Sequence, residues 1–344
     1  MYGALDLGTN NCRLLVARPS RRGFLVIDAF SRIIRLGEGV GRTGRLGDAA
    51  MSRTLEALRV CAGKLGRQRA VRSRLIATEA CRIAANGPDF IARVKRELDL
   101  DLEVVSRETE AKLAVAGCAS LIDRNAELAL IFDIGGGSSE LIWIDVAGKP
   151  QPWRHSQPDR LEAQNYIAAW TSLPVGVVTL AERFGGKRVD AALFEEMVAE
   201  VTTMLQAFEA AHPFRHRLGA GTAHLLGTSG TVTTVAGIWL GLQRYDRNRV
   251  DGCWLRTVDV RKVTNDILNM SYEERVAQPC VGPERADLVL AGCAILEALL
   301  RMWPVERLRV ADRGLREGIL ATLMAEDGVF RNPRRLWRAT GGRR

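Results

Sequence analysis

Tyr2 to Leu7 form an apolar run interrupted only by Gly3 and Asp6; it ends in Gly8-Thr9-Asn10, and a second run, Cys12 to Ala17, leads away. The same order returns at Leu128 to Phe132, followed by Asp133-Ile134-Gly135-Gly136-Gly137-Ser138-Ser139 and then Glu140 to Ile144. Short apolar runs bounded by turn residues predict buried strands, so a strand, an aspartate, a glycine-rich turn and another strand occur twice. Between the copies the apolar spacing becomes helical: Leu55, Leu58 and Cys61 put one face on a helix from Asp48 to about Leu65. A strand (Arg74 to Ala77), a helix broken near Asn86-Gly87-Pro88, a second helix to Leu98, a strand (Leu102 to Val105) and a helix from about Thr109 to Leu121 follow. After the second copy the rhythm resumes through Leu173-Pro174-Val175-Gly176, Thr179 to Phe184 and a long helix from Asp190 to Ala211. A further apolar strand ends in a third glycine turn, Gly227-Thr228-Ser229-Gly230-Thr231, which opens a helix from Val232 to Leu240. A helix (Glu284 to Met302), a strand (Leu308 to Ala311) and a helix (Leu315 to Met324) close the pattern. Strands alternating with helices predict an α/β fold with mostly parallel or mixed sheets covered by helices.

Length turns this into two domains, because 344 residues exceed what one core usually supports. The duplication divides the chain into residues 1–123, residues 124–325, whose last helix can pack back on the first domain, and a basic tail, 326–344. With 47% hydrophobic and 26% charged residues the composition is that of a soluble globular protein. The chain enters a strand at once, leaving no room for a secretory signal. Its longest apolar stretch, Ala286 to Leu300, carries Asp287 and Glu297 and is too short for a bilayer, so a cytoplasmic protein with no membrane partner is expected. Seven scattered cysteines without a C-x-x-C pair argue for reduced, buried thiols rather than a disulfide framework or zinc cage. His212 and His216 have helical ligand spacing, but Pro213 between them ends the helix, so no metal site is expected there. The formal charge is +9 and most of the cations are arginine, which binds phosphate through its planar fork, so polyanions are the expected partners. Six arginines fall in the last fourteen residues, Arg331 to Arg344, and read as a solvated terminus before a polyanion contact.

Glycine lets backbone N–H groups approach an anion without an intervening Cβ, and the hydroxyls of Thr9, Ser138 and Ser139 add donors. The aspartate beside each turn does not bind phosphate itself; it suits Mg²⁺, which bridges to phosphate oxygens. One such turn alone reads more simply as a tight hairpin. Duplication of the whole unit favours phosphate binding, and the third turn adds a helix N-terminus, a ready anion site. Gly39-Val40-Gly41-Arg42-Thr43-Gly44 spells G-x-G-x-x-G but runs into more turn residues, which disfavours a dinucleotide site. Neither a P-loop nor a G-x-S-x-G elbow occurs. Ser106 is a natural N-cap, and Glu108 and Glu110 stand where a helix dipole favours acids. One of these two carboxylates can act as a base only if that helix begins at the interdomain cleft. Glu140 follows its turn directly and has no capping duty.

Ala4-Leu5-Asp6-Leu7-Gly8-Thr9-Asn10, Thr78-Glu79-Ala80-Cys81-Arg82, Glu108-Thr109-Glu110-Ala111, the Asp133 to Glu140 turn, Leu173-Pro174-Val175-Gly176, Gly227-Thr228-Ser229-Gly230-Thr231, Tyr245-Asp246-Arg247, Glu284-Arg285-Ala286-Asp287 and Gly314-Leu315-Arg316-Glu317-Gly318 span nearly the whole chain. In this order they resemble the exopolyphosphatase / guanosine pentaphosphate phosphohydrolase (Ppx/GppA) family, a branch of the actin-like, sugar-kinase-like and Hsp70-like ATPase superfamily. The resemblance implies two ribonuclease-H-like domains with a central interdomain cleft, and Mg²⁺-assisted hydrolysis of a terminal phosphate. It implies Glu110 and Glu140 as catalytic residues, and Asp6 and Asp133, with Glu140, as residues that support the metal or orient water. Phosphate would be held by Thr9, Asn10, Arg82, Gly135, Gly136, Gly137, Ser138, Gly227, Thr228, Ser229, Gly230 and Thr231. Arg107 and Thr109 stand where a Gly and another acid are usual, Val177 replaces a small or polar residue, and Asp251 replaces a histidine. The sequence ends where longer members carry a C-terminal helical extension, which implies a looser hold on very long chains. The expected substrate is inorganic polyphosphate. The alternatives are guanosine pentaphosphate (pppGpp) trimmed to the tetraphosphate (ppGpp), a kinase or ATPase of the same superfamily, and a non-catalytic alarmone or polyphosphate sensor. Nucleic acid is not an expected partner, and a homodimer is left open.

Overall fold

The computed structural model describes residues 1–20, 23–148, 158–218 and 221–330. The arginine-rich segment 331–344 lies outside the described residues. The chain divides into two compact units, one formed by residues 1–120, 151–165 and 314–344, the other by residues 121–150 and 166–313. The terminal helix Leu315–Glu326, which the sequence reading grouped with residues 124–325, thus belongs to the first unit.

The first unit holds β1 (Tyr2–Leu7), β2 (Asn11–Ser20), β3 (Gly23–Ile33), β4 (Arg72–Ala77) and β5 (Leu102–Val104), in the order β3-β2-β1-β4-β5. β1 is antiparallel to β2 and parallel to β4. The second unit holds β6 (Leu128–Ile134), β7 (Ser139–Asp145), β8 (Ile167–Leu173), β9 (Ala223–Thr228), β10 (Trp254–Arg256) and β11 (Arg307–Ala311), ordered β8-β7-β6-β9-β11-β10. β6 is antiparallel to β7 and parallel to β9, so five strands of the second sheet repeat the order of the first and β10 extends it.

Alternation along β1 sorts its side chains onto two faces. Leu5 and Leu7 join Leu55, Leu58 and Cys61 of the helix Asp48–Arg67 in one cluster. Tyr2 and Ala4 join Leu15, Ala17 and Ile76 beneath Leu315, Ile319, Leu320 and Leu323 in another. Covered on both sides, the sheet accounts for the nearly unbroken apolar runs that announced it. On the second face, the helices Arg107–Cys118 and Leu315–Glu326 meet through glycine. A Cβ on Gly117 would lie 1.9 Å from the Gly314 carbonyl oxygen, and one on Gly318 would lie 2.0 Å from that of Leu113. In the second unit the helix Val289–Met302 is buried at every position but Arg301. That central placement explains its all-apolar stretch. Beside it, Trp143 stacks on Phe214 with ring centroids 4.9 Å apart and meets Trp303 edge-on at 5.6 Å.

The helix Arg107–Cys118 starts two residues before the position read from sequence, because Ser106 Oγ accepts the Thr109 amide at 3.2 Å. Gly39 and Gly44, at φ 75° and 68°, bracket a four-residue helix, Val40–Thr43, so the G-x-G-x-x-G string makes a single helical turn. The helices Thr257–Leu268 and Tyr272–Ala277 were not read from sequence, and neither was the three-residue β10. None of the seven cysteines forms a disulfide, and six of them are buried. His212 ends the helix Ala191–Ala211 and His216 lies in a separate turn of 3₁₀ helix, as the intervening proline required. Among the described residues, no helix is long and apolar enough to cross a membrane.

Candidate functional site

In α/β sheets, ligands collect outside the carboxyl ends of parallel strands, where neighbouring connections diverge. The first unit places its candidates there, at the ends of β1, β4 and β5. The turn after β1 is closed by the Gly8 amide donating to Asn11 O at 2.9 Å. Its outward carbonyls are held by backbone: Gly37 N donates to Thr9 O at 2.9 Å, and Ile34 N to Asn10 O at 2.9 Å. Thr9 and Asn10 are buried, and Asn10 Oδ1 has no hydrogen-bond partner among the described residues. Asp6 lies opposite Arg13 across β1 and β2. Burial pushes its carboxyl above the ordinary range, against the pull of Arg13 and Arg316, while Glu317 adds to the rise.

After β4 comes the short helix Glu79–Ile83, and after β5 the helix that carries Glu110. Arg82 joins them: its Nη2 donates to Glu110 Oε2 at 2.9 Å, its Nη1 to Val105 O at 2.7 Å and its Nε to Glu79 Oε2 at 3.1 Å. Glu79 is buried and also accepts from Arg107, at 2.6 Å from Nη2 and 3.2 Å from Nε. Arg82, expected at phosphate, therefore sits in a four-membered ion network, with three of its five N–H donors taken by described residues.

The second unit repeats the turn. Gly135 N donates to Ser138 O at 2.9 Å, the same closure from a glycine two positions after the aspartate, and Asp133 lies opposite Glu140 as Asp6 lies opposite Arg13. The helix Val177–Phe184 seats the turn: Val177 N donates to Gly135 O and Val178 N to Gly136 O, both at 2.9 Å. Gly176 permits this approach, since a Cβ there would lie 2.5 Å from the Gly136 carbonyl carbon. With the carbonyls turned toward that helix, the amides of Gly136, Gly137 and Ser138 make no backbone hydrogen bond among the described residues. Glu140 is buried, and its Oε1 accepts from Ser138 Oγ at 2.8 Å and from Ser172 Oγ at 2.9 Å.

The third turn divides its candidates. Gly227 lies within β9 beneath the Phe132 ring, 2.5 Å from where its Cβ would be, so packing accounts for that glycine. Thr231 is turned inward against Gly292. Thr228 ends β9 opposite Asp133, and Ser229 precedes the helix Gly230–Trp239 with φ 114° and ψ 169°, a region that L side chains rarely adopt. Ser229 Oγ is buried and has no partner among the described residues. Nearby, the Tyr245 phenol hydrogen-bonds Asp312 and Thr233, and burial, with Asp312 beside it, raises its pKa. Asp312 follows β11, whose carboxyl end completes the row begun by β6 and β9.

No group of three or more His, Cys, Asp or Glu residues with metal-holding geometry occurs among the described residues. Mg²⁺ needs fewer protein ligands, often one or two carboxylates beside substrate phosphates, and the Asp133–Glu140 pair fits that donor set. Sequence reading missed Glu79, Ser172, Arg13 and Arg316. For Arg13 alone a signal existed, in its equal spacing from Asp6 to that of Glu140 from Asp133.

The Ppx/GppA phosphatase family model matches residues 15–327. Guanosine-5'-triphosphate,3'-diphosphate pyrophosphatase of Aeromonas hydrophila is 27% identical over 328 residues, 95% of this chain and 60% of that protein, so the chain spans less than two thirds of that relative's length. Exopolyphosphatase 2 of Mycobacterium tuberculosis is 26% identical over 341 residues, 93% of this chain and 97% of that protein. Among solved structures, the Aquifex aeolicus member of the Ppx/GppA family is 27% identical with a TM-score of 0.72, over 95% of this chain and 98% of its own.

Proposed function

The chain belongs to the Ppx/GppA phosphatase family, and from that premise we propose that it is a cytoplasmic exopolyphosphatase that removes the terminal phosphate of inorganic polyphosphate with Mg²⁺. Its two units have the ribonuclease-H-like fold of the actin, sugar-kinase and Hsp70 superfamily. The observation that carries the reading is the repeated turn, closed by the same hydrogen bond in both units and flanked each time by an aspartate at the strand end.

In the proposed reaction Glu110 takes a proton from the water that attacks the terminal phosphorus in line, and the phosphoanhydride bond breaks toward the rest of the chain. Each unit offers its own donors for phosphoryl oxygens: in the first, Arg82 has two N–H groups beyond its three bonds, and the second has the amides of Gly136, Gly137 and Ser138 and the hydroxyl of Ser229. Ser138 and Ser172 fix the Glu140 carboxylate, which with Asp133 would hold the metal. Mg²⁺, when bound, neutralises charge on the phosphoryl oxygens. A second reading, trimming of pppGpp to ppGpp, rests on the Aeromonas relative. The polyphosphate reading is favoured by the Mycobacterium tuberculosis relative named Exopolyphosphatase 2, which the chain matches along 97% of its length.

Phosphate release from long-chain polyphosphate and from pppGpp, each with Mg²⁺ and with excess chelator, tests both. Faster release from polyphosphate that stops with chelator and returns with Mg²⁺ is expected; release from neither substrate refutes the enzyme. Ser229→Gly probes the third turn. Relief of its backbone conformation is expected to raise stability by about 1 kcal/mol, while loss of a hydroxyl bonded to charged phosphate lowers kcat/KM by about tenfold. Unchanged kinetics remove Ser229 from substrate contact.

A further inference from the structure

We propose that Glu79 and Arg107 are positioning residues, a buried brace that fixes the Arg82 guanidinium and so sets how firmly Arg82 grips Glu110. The proposal rests on Glu110 as the base and adds what controls it. Glu79 is 4% exposed and bonded to both arginines, an arrangement that leaves no uncompensated buried charge. Arg82 is pinned on two sides, by Glu79 through Nε and by the Val105 carbonyl through Nη1. Only its Nη2 reaches Glu110. A guanidinium held in this plane bonds Glu110 through a single nitrogen, whereas a released one turns to the bidentate fork that carboxylates favour. Bonding through one nitrogen limits the hold of Arg82 on the carboxylate and leaves its remaining N–H donors directed at phosphate. Arg107 controls the brace from the other side by sharing the Glu79 charge. It occupies a position where the family resemblance implies glycine, so the brace belongs to this chain rather than to the shared reaction.

Other charged groups lie on the same helix and on the helix Leu315–Glu326 packed against it. Glu108 and Lys112, on its own helix, pair at 2.7 Å, and Glu317 of the packed helix accepts the Gly314 amide at 2.9 Å. Arg316 and Arg13 act on Asp6.

Removing the two ends of the brace has opposite effects. In Glu79→Gln, Arg82 loses its competing carboxylate and closes on Glu110, which favours the charged form of Glu110 and moves its titration toward lower pH by about one unit. In Arg107→Ala, Glu79 draws Arg82 to itself, and the titration moves toward higher pH. The experiment follows the acid limb of kcat/KM for polyphosphate in both variants. It also follows the Glu110 carboxyl by ¹³C NMR in full-length protein labelled at glutamate δ-carbons, with the resonance assigned by its loss in Glu110→Gln. Opposite displacements in the two variants, and return toward the parent in Glu79→Asp, are expected, with kcat of Glu79→Gln falling by up to about tenfold as the base weakens. Displacements in the same direction, or none, overturn the brace, and melting curves identify any variant that is simply unfolded, for which Glu79→Asp is compared instead. If Glu110→Gln keeps full turnover, the base assignment falls while the NMR titrations still decide the brace.

Discussion

Glu110→Gln lowers kcat for phosphate release by about 10²- to 10⁴-fold, the range for a lost general base, and leaves KM within about threefold. The carboxamide keeps the size of the side chain and its oxygen still accepts from Arg82 Nη2, which stands at 2.9 Å in the parent protein. What it loses is the capacity to take a proton. The guanidinium remains tied to Glu79 and Val105, so the phosphate-facing donors keep their direction and binding is retained. Steady-state kinetics and a binding titration with unhydrolysed polyphosphate separate these effects. Turnover above a tenth of the parent value removes Glu110 from the role, and lost binding with intact melting shows that it holds substrate instead.

Gly117→Ala destabilises the protein by about 3 kcal/mol, the upper part of the overpacking range. The added methyl meets a peptide group and not a side chain: the Gly314 oxygen at 1.9 Å, its carbon at 2.6 Å and its Cα at 2.9 Å. No rotamer change relieves backbone, so the helices Arg107–Cys118 and Leu315–Glu326 must part, and with them Leu113, Ile319 and Leu320 of the apolar cluster over β1. Gly63→Ala is the contrasting substitution. Gly63 is exposed on the helix Asp48–Arg67, its nearest neighbour is an arginine tip at 3.4 Å, and the expected change is a gain of about 0.5–1 kcal/mol. Urea unfolding of both variants checks the pair. Equal stabilities contradict the close contact of the helices.

The strand pairs and their turns were legible because their signal is local. A period-two or continuous apolar run, an aspartate and a glycine turn lie within about fifteen residues, and counting positions from Asp6 to Arg13 and from Asp133 to Glu140 already gives the register. Glu79 was not legible as a site residue. Its partner Arg107 is 28 positions away, and only the parallel pairing of β4 with β5 brings their helices together. One glycine of the third turn has a packing reason that no inspection of residues 227–231 reveals: Gly227 lies against the ring of Phe132, a neighbour on β6. β10 has three residues, too few for any periodicity to register.

The split make-up of the first unit has a consequence for biosynthesis. Tyr2 and Asp327, 325 positions apart, share a hydrogen bond of 2.7 Å, so β1 receives part of its cover from a helix translated about 300 residues after it. Until then Tyr2, Ala4, Leu15 and Ala17 remain a bare, greasy strip. The intervening polypeptide has every strand of its own sheet by Ala311. It is therefore free to mature before the first unit receives the helix Leu315–Glu326 that completes its cover.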